Sequence, residues 1–205
     1  MDTLRAGAAA VDISPRDSQF LYGYPHVERY STGIHDPLFS SALYLSDGQI
    51  ELLIIANDII FVSKASTHRA RTQIEESTGV PTSNIMITAT HTHSGPMTAK
   101  YISNENDPVV PKVDPAFVQL LEDGIVAAAL EARRSAVPAK LGLAVADGTG
   151  VGTNRRDPSG PSDREVPVLM VKALDPPTDP GGRGEVSSPG VSSPGVSSPR
   201  ALVLL

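Results

Sequence analysis

The stretch NIMITATHTHSGP (84–96) joins a run of apolar residues to two histidines that are separated by one residue. Its apolar part predicts a buried strand, because the run is short, rich in strand-forming residues and followed by a Ser-Gly-Pro turn. QIELLIIAND (49–58) predicts a second strand, buried on both faces. Between them, SKASTHRARTQIEESTG (63–79) predicts a helix with Ser63 as N-cap and Gly79 as C-cap. This order predicts a right-handed βαβ unit with parallel strands.

The segments around this unit predict further strands and a second helix. SALYLSDG (41–48) ends in Asp47-Gly48, which favours a hairpin with the strand at 49–58. DPAFVQLLEDGIVAAALEARRS (114–135) predicts a helix with Asp114 as N-cap. The apolar residues at helical spacing in this segment are Phe117, Leu120, Leu121, Ile125 and Ala128. Additional strands are predicted at 6–15, 140–147 and 165–175.

The composition of the chain changes after residue 175. Residues 176–200 contain V-S-S-P-G twice and then V-S-S-P-R, which predicts a disordered linker or insertion rich in Pro, Gly and Ser. The apolar ALVLL (201–205) predicts the start of a truncated strand. We therefore expect a partial α/β domain over residues 1–175, with a mixed β-sheet flanked by helices and incomplete at its C-terminus. Such a domain leaves a sheet edge or an apolar face uncovered.

The overall composition excludes several classes of protein. The 205 residues are 40% hydrophobic and 20% charged, and the net charge of −6 argues against a nucleic-acid partner. Because cysteine is absent, a metal would need His, carboxylate or Tyr ligands. The chain shows neither a transmembrane segment nor a signal peptide, so a cytoplasmic location is expected. No pattern predicts the oligomeric state.

His91 and His93 follow the predicted strand at the carboxyl edge of the sheet, where α/β proteins bind ligands. Residues i and i+2 of an extended backbone point to the same side, so both imidazoles should face one pocket. The pattern alone is compatible with a metal site, acid–base chemistry or structural histidines. Asp58 follows the neighbouring strand and is expected at the same edge, as a ligand, as an acceptor that fixes a histidine tautomer, or as a turn residue.

Two further segments contain candidate residues. Arg155 and Arg156 lie in the polar loop TNRRDP (153–158), where they are either solvated or turned inward to hold an oxyanion or substrate. His35 in GIHDP (33–37) is interpreted as a turn residue, with a place in the histidine pocket as the alternative.

Taken together, these motifs resemble those of the N-terminal catalytic domain of the neutral/alkaline (non-lysosomal) ceramidases, and they occur in the same order along the chain. The matching pieces are AGAAAVDISP (6–15), GY (23–24), GIHDPLFSSALYL (33–45), NDII (57–60), TGVPTSNIMITATHTHSGP (78–96) and GVGTNRR (150–156). The resemblance implies a zinc-dependent amidohydrolase that cleaves the linear N-acyl amide of ceramide-like lipids to a fatty acid and a sphingoid base. It implies that His91 ligates Zn²⁺, that His93 lies near the substrate and that Arg155 contacts the substrate or oxyanion.

The resemblance also implies that the other zinc ligands, a histidine, a glutamate and a tyrosine, lie beyond residue 205. We therefore expect a partial zinc site, weak zinc affinity and no ceramide hydrolysis by these 205 residues, because catalytic zinc sites use three protein ligands. Two alternatives stay open. One is a self-sufficient metal hydrolase or oxygenase that uses His91, His93 and Asp58. The other is a non-catalytic relative with structural histidines.

Overall fold

The computed structural model describes residues 4–24, 26–99, 106–174 and 201–204, so the predicted linker at 176–200 lies outside the described residues. The chain divides into two compact units, Met1–Val137 and Pro138–Leu205. The elements are β1 (Arg5–Asp12), β2 (Phe39–Ser46), β3 (Glu51–Asn57), α1 (Lys64–Thr78), a 3₁₀ turn (Thr82–Asn84), β4 (Ile85–Ala89), α2 (Pro115–Arg134), β5 (Val137–Asp147), β6 (Glu165–Ala173) and β7 (Ala201–Leu204). This architecture confirms the predicted α/β class.

In the first unit the described strands form a mixed sheet in the order β4-β3-β2-β1. β1 and β2 pair antiparallel, as do β2 and β3, which are joined by the predicted turn after Ser46. β3 and β4 pair in parallel, with Leu53 opposite Ile85 and Asn57 opposite Ala89. Because α1 connects these two strands, the predicted βαβ unit with parallel strands is confirmed.

Both helices begin at the predicted capping residues. The Ser63 hydroxyl accepts a hydrogen bond from the Ser66 N–H at 2.9 Å, and Gly79 ends α1 with φ of 78°. The Asp114 carboxylate accepts a hydrogen bond from the Ala116 N–H at 2.9 Å at the start of α2. Ser63 and Asp114 each accept a hydrogen bond from an N–H that the first helical turn leaves unpaired. Such an N-cap stabilises a protein by about 0.5–2 kcal/mol.

The core of the first unit lies between the sheet and the two helices. It includes Leu53, Ile55, Ile74, Ile85, Leu121 and Ile125, each at most 1% exposed. Each of these side chains contributes about 1.5–3 kcal/mol by leaving water. Gly7 lets α2 approach β1 closely, because a Cβ at this position would lie 1.9 Å from the Ala132 oxygen.

The prediction that β3 is buried on both faces is wrong, and β4, predicted as a buried strand, is also exposed on one face. Leu53 and Ile55 point toward the helices and are fully buried, whereas Leu52 on the other face of β3 is 42% exposed and Met86 on β4 is 48% exposed. Leu120, which we placed on the apolar stripe of α2, is 38% exposed. At these strands the helices cover only one face of the sheet. The side chains on the other face, which belong to alternate residues, remain in contact with water.

The second unit contains the antiparallel strands β5, β6 and β7. Leu143 lies opposite Leu169 on β6, and Met170 on β6 lies opposite Val203 on β7. β5 begins three residues before the predicted strand at 140–147, and β7 falls within the predicted strand at 201–205. None of the helices among the described residues combines the length and the apolar character that a membrane crossing requires.

Candidate metal and catalytic site

The two histidines lie where the chain leaves the parallel pair β3 and β4. The Thr90 N–H donates to the Asn57 oxygen at 2.9 Å, and the His91 N–H donates to the Ile59 oxygen at 3.0 Å. His91 then adopts a left-handed backbone conformation with φ of 62°. For a residue with a Cβ this conformation costs about 1–3 kcal/mol and concentrates at functional sites. The reversal places the His91 side chain at the carboxyl ends of both strands.

The hydrogen bond of the His91 ring defines its tautomer. Nδ1 lies 3.0 Å from the Ile60 main-chain oxygen. A carbonyl oxygen only accepts hydrogen bonds, so Nδ1 is the donor in this bond, and in the neutral ring Nε2 carries the lone pair. Among the described residues Nε2 has no hydrogen-bond partner, and the ring is exposed. A neutral imidazole with its other nitrogen bonded to a carbonyl is the form in which histidine binds metals.

The two imidazoles lie next to each other, as predicted, although the backbone at His91 is left-handed and not extended as the prediction assumed. Their ring centroids are 5.2 Å apart with an interplanar angle of 74°. Phe61 lies edge-on to the His91 ring at 5.1 Å, and Tyr24 lies edge-on to the His93 ring at 5.1 Å. Tyr22 continues the aromatic group, 6.5 Å from Phe61. The imidazoles are therefore flanked by apolar rings on both sides.

Residues of the loop between β1 and β2 surround His93. A Cβ at Gly23 would lie 2.5 Å from the His93 Cγ, so this position, with φ of 129°, has no room for a side chain. The Arg29 Nη2 donates a hydrogen bond to the His93 main-chain oxygen at 3.2 Å. The Arg29 Cζ lies 4.7 Å from the Tyr24 ring centroid. Arg29 was not predicted from the sequence, because its loop has no periodicity. Tyr24 was named only as part of the piece GY (23–24) that resembles the family.

A buried carboxylate holds this loop in place. The Asp107 side chain, 3% exposed, accepts hydrogen bonds from the His26 N–H at 2.8 Å and the Val109 N–H at 3.1 Å. These bonds, the one from His26 foremost, hold the pKa of Asp107 below its usual value. Burial, together with the negative charge of Asp107, raises the pKa of the Tyr22 hydroxyl. Tyr22 is therefore neutral at pH 7.

Asp58 does not contact either imidazole through a hydrogen bond. Its Oδ2 accepts from the Phe39 N–H at 3.0 Å, and its Oδ1 accepts from the Thr90 hydroxyl at 3.2 Å. The acceptor that fixes the histidine tautomer is thus a main-chain oxygen and not the predicted carboxylate. Across residues 4–24, 26–99, 106–174 and 201–204, no three His, Cys, Asp or Glu side chains converge on a metal position. The two-His-one-carboxylate alternative with Asp58 is therefore wrong for the described residues.

A cavity of ≈ 1050 Å³ lies beside the same segment but is not lined by His91 or His93. Its walls include three residues that alternate with the histidines in the sequence, and two residues that were candidates for a place near the histidines. These lining residues are Thr92, Ser94, Pro96, Asp58 and His35. His35 forms a hydrogen bond through Nδ1 with the Asp36 carboxylate at 2.8 Å, and both side chains are exposed. The alternative that placed His35 in one pocket with the two histidines is therefore wrong, whereas its interpretation as a turn residue is unaffected.

Arg155 lies in the second unit, in the loop between β5 and β6. The Asn154 Oδ1 accepts hydrogen bonds from the Arg156 N–H at 3.0 Å and the Asp157 N–H at 3.2 Å, which forms a tight turn. Arg155 is exposed on this turn, and within the described part of the chain its side chain has no hydrogen bond or ion pair. Arg156 is exposed as well. Both guanidinium groups are accessible to solvent.

Comparison with known proteins identifies a family and a fold. The model of the family described as neutral/alkaline non-lysosomal ceramidase, N-terminal, matches residues 5–159. No curated protein matches the chain by sequence. A solved ceramidase complexed with C2 is similar over 85% of this chain with 20% identity and a TM-score of 0.71. The neutral ceramidase from Pseudomonas aeruginosa is similar over 85% with 20% identity and a TM-score of 0.70. The chain spans 29% and 30% of these two proteins, respectively.

Proposed function

The chain belongs to the neutral/alkaline non-lysosomal ceramidase family, and we propose that it is the histidine-bearing part of a zinc-dependent amidohydrolase. The proposed reaction is cleavage of the N-acyl amide bond of ceramide-like lipids to a fatty acid and a sphingoid base. The observation that supports it best is the His91 imidazole, whose Nδ1 is bonded to the Ile60 oxygen while Nε2 is open. The His93 ring beside it gives the site a second polar group.

The two imidazoles are of a ligand type that zinc prefers, but the described residues bring together fewer ligands than a catalytic zinc site needs. Imidazole nitrogen is a preferred zinc ligand, and the proton on Nδ1 of His91 directs Nε2 toward the metal. A catalytic zinc site needs three protein ligands, whereas the described residues bring two imidazoles together. We propose His91 as a zinc ligand and His93 as the group beside the substrate. When bound, zinc lowers the pKa of water to about 7 and polarises a carbonyl.

The rings around the imidazoles support a lipid amide as the substrate. The ring centroids of Tyr24 and Phe61 each lie 5.1 Å from an imidazole centroid, and Tyr22 lies next to Phe61. Such rings exclude water from an acyl chain, while the imidazoles supply the polar contacts that an amide requires. A small set of polar groups in an apolar surround is the usual composition of a site for an apolar ligand.

Arg155 is proposed to contact the substrate or the negative charge that develops on the amide oxygen. A guanidinium stabilises such charge most when it has no competing acidic partner. The solvent-accessible Arg155 side chain meets this condition within the described part of its unit. The sequence GVGTNRR around it is also one of the pieces that resemble the family.

Zinc titration of the purified chain tests this proposal directly. We expect weak binding of Zn²⁺ by the starting protein, measured by isothermal titration calorimetry, and loss of that binding in His91→Ala. His68→Ala is the matched control, because His68 is exposed on α1 and should leave zinc binding unchanged. Equal zinc affinity in His91→Ala and the starting protein would contradict the assigned ligand.

A ceramide hydrolysis assay tests the proposal that these residues form only part of a zinc site. We expect no release of fatty acid from a short-chain ceramide by these 205 residues, because two imidazoles do not complete a catalytic zinc site. Zinc-dependent turnover that disappears in His91→Ala would support the proposed reaction but overturn the partial-site proposal. Zinc-independent turnover would contradict both.

A further inference from the structure

Arg29 contacts both the backbone of His93 and the ring that packs against its imidazole. Its Nη2 donates to the His93 main-chain oxygen at 3.2 Å, and its Cζ lies 4.7 Å from the Tyr24 ring centroid. A guanidinium is attracted to the face of an aromatic ring, and its planar shape lets it stack and donate hydrogen bonds at the same time. One side chain therefore connects Tyr24 to His93.

Tyr24 limits the orientation of the His93 imidazole. The imidazole is bounded by the Gly23 backbone, the His91 ring and the Tyr24 ring, whose centroid lies 5.1 Å away. Tyr24 is 52% exposed, so the core of the unit does not hold its ring. Among the described residues the Arg29 guanidinium lies over the Tyr24 ring, and we expect the ring to rotate more freely toward water when the guanidinium is removed.

The backbone of Arg29 is itself held in place. Its main-chain oxygen accepts a hydrogen bond from the Leu21 N–H at 2.8 Å. Leu21 forms a bridge with Pro96, and the Tyr22 N–H donates to the Gly95 oxygen at 3.2 Å, directly after the histidine segment. Within the described residues Arg29 has no acidic partner at ion-pair distance. Its side chain is thus directed to Tyr24 and His93 and not to a competing carboxylate.

We infer that Arg29 is a positioning residue that fixes the His93 imidazole beside His91 by holding Tyr24. This inference deepens the proposed function and rests on it, because His93 is proposed to lie beside the substrate amide. A polar group held in one orientation contributes to catalysis by keeping the reacting atoms in place. The contacts that hold it involve Arg29 and Tyr24, neither of which is a proposed zinc ligand.

Nuclear magnetic resonance of the 205-residue chain with labelled His and aromatic residues tests this inference. We expect ring-to-ring Overhauser contacts between His93 and Tyr24 in the starting protein and their loss in Arg29→Met, which keeps an unbranched apolar side chain but removes the charge and the donors. Arg29→Lys should recover the contacts in part, because an ammonium still donates and still lies over the ring. Tyr24→Phe is the matched control and should keep them, because only the hydroxyl is removed.

The unfolding midpoint of Arg29→Met reports separately whether the unit remains folded. Unchanged contacts between His93 and residue 24 in folded Arg29→Met would overturn the inference. If Arg29→Met does not fold, Tyr24→Ala replaces it: the His93 ring signals should then shift while those of His68 stay, and an unshifted His93 signal would overturn the inference. Zinc titration of the starting protein gives an independent result. The absence of any zinc-dependent shift at His91 would contradict the proposed function and leave the test of Arg29 valid.

Discussion

The two sides of the segment His91–Pro96 differ in chemistry and in packing. On one side His91 and His93 lie between the rings of Phe61 and Tyr24. On the other side Thr92 and Ser94 face a cavity of ≈ 1050 Å³ lined largely by polar and exposed residues. The segment thus supplies a histidine side that packs against aromatic rings and a hydroxyl side that faces the cavity. A spacious cavity beside a candidate site therefore need not be lined by the histidines of that site.

The largest effect is expected from adding a methyl group on the histidine side. In Gly23→Ala the new Cβ would lie 2.5 Å from the His93 Cγ, at a φ of 129° that disfavours side chains. We expect a loss of about 2–4 kcal/mol in the free energy of unfolding, measured by urea denaturation. Gly33→Ala is a useful control, because φ is 150° there and nothing lies within 4 Å of its Cβ. Equal losses in both variants would show that backbone strain, and not contact with His93, is responsible.

A smaller effect is expected from Asp58, which lines the cavity yet joins elements of the sheet. Asp58→Ala removes the acceptor of the Phe39 N–H and of the Thr90 hydroxyl. We expect a loss of about 1–3 kcal/mol in the free energy of unfolding, with zinc binding retained. Asp58→Asn should lose less, because its amide oxygen still accepts one of the two hydrogen bonds. Zinc binding that disappears in Asp58→Asn would contradict the separation of the two sides.

His91 itself is expected to contribute little to stability. His91→Asn loses the hydrogen bond to the Ile60 oxygen and the contact with Phe61, but asparagine tolerates the φ of 62° better than histidine. We expect these changes to offset each other to within about 1 kcal/mol, measured by thermal unfolding. Zinc binding should be lost in the same variant. A large destabilisation would mean that the imidazole serves the fold and would favour structural histidines.

The smallest effect is expected on the hydroxyl side. Ser94 is exposed, and its N–H donates to the Thr92 hydroxyl at 3.2 Å, a bond that does not involve the Ser94 side chain. Ser94→Ala should change the free energy of unfolding by less than about 0.5 kcal/mol and leave zinc binding unchanged. A tenfold loss of zinc affinity in Ser94→Ala would show that both sides of the segment serve one site.

The parts of the fold that sequence predicted depend on neighbours in the chain. The caps Ser63, Gly79 and Asp114 act within one helical turn, so their residue types are sufficient to place the helix ends. The parallel pairing of β3 with β4 followed from the strand, helix, strand order. The sequence also predicted that His91 lies beside His93, but it did so by assuming an extended backbone, whereas His91 has a φ of 62°.

The parts that sequence could not predict depend on distant neighbours. The sequence left three interpretations of Asp58 open, and its hydrogen bond to the Phe39 N–H, nineteen positions earlier in the chain, is not visible in any local pattern. Arg29 is 64 positions from His93, and no local pattern in its loop indicates that contact. The exposure of Leu52 likewise follows from which face of the sheet the helices cover, which an unbroken apolar run does not reveal.

The acceptor of the His91 Nδ1 proton has a consequence for how the sequence can vary. The acceptor is the main-chain oxygen of Ile60, an atom that every amino acid possesses. A point substitution at position 60 changes the side chain but leaves an oxygen available at that place. A substitution at this position therefore cannot delete the acceptor that holds the proton on the His91 Nδ1, whereas a carboxylate acceptor would be lost by a single codon change.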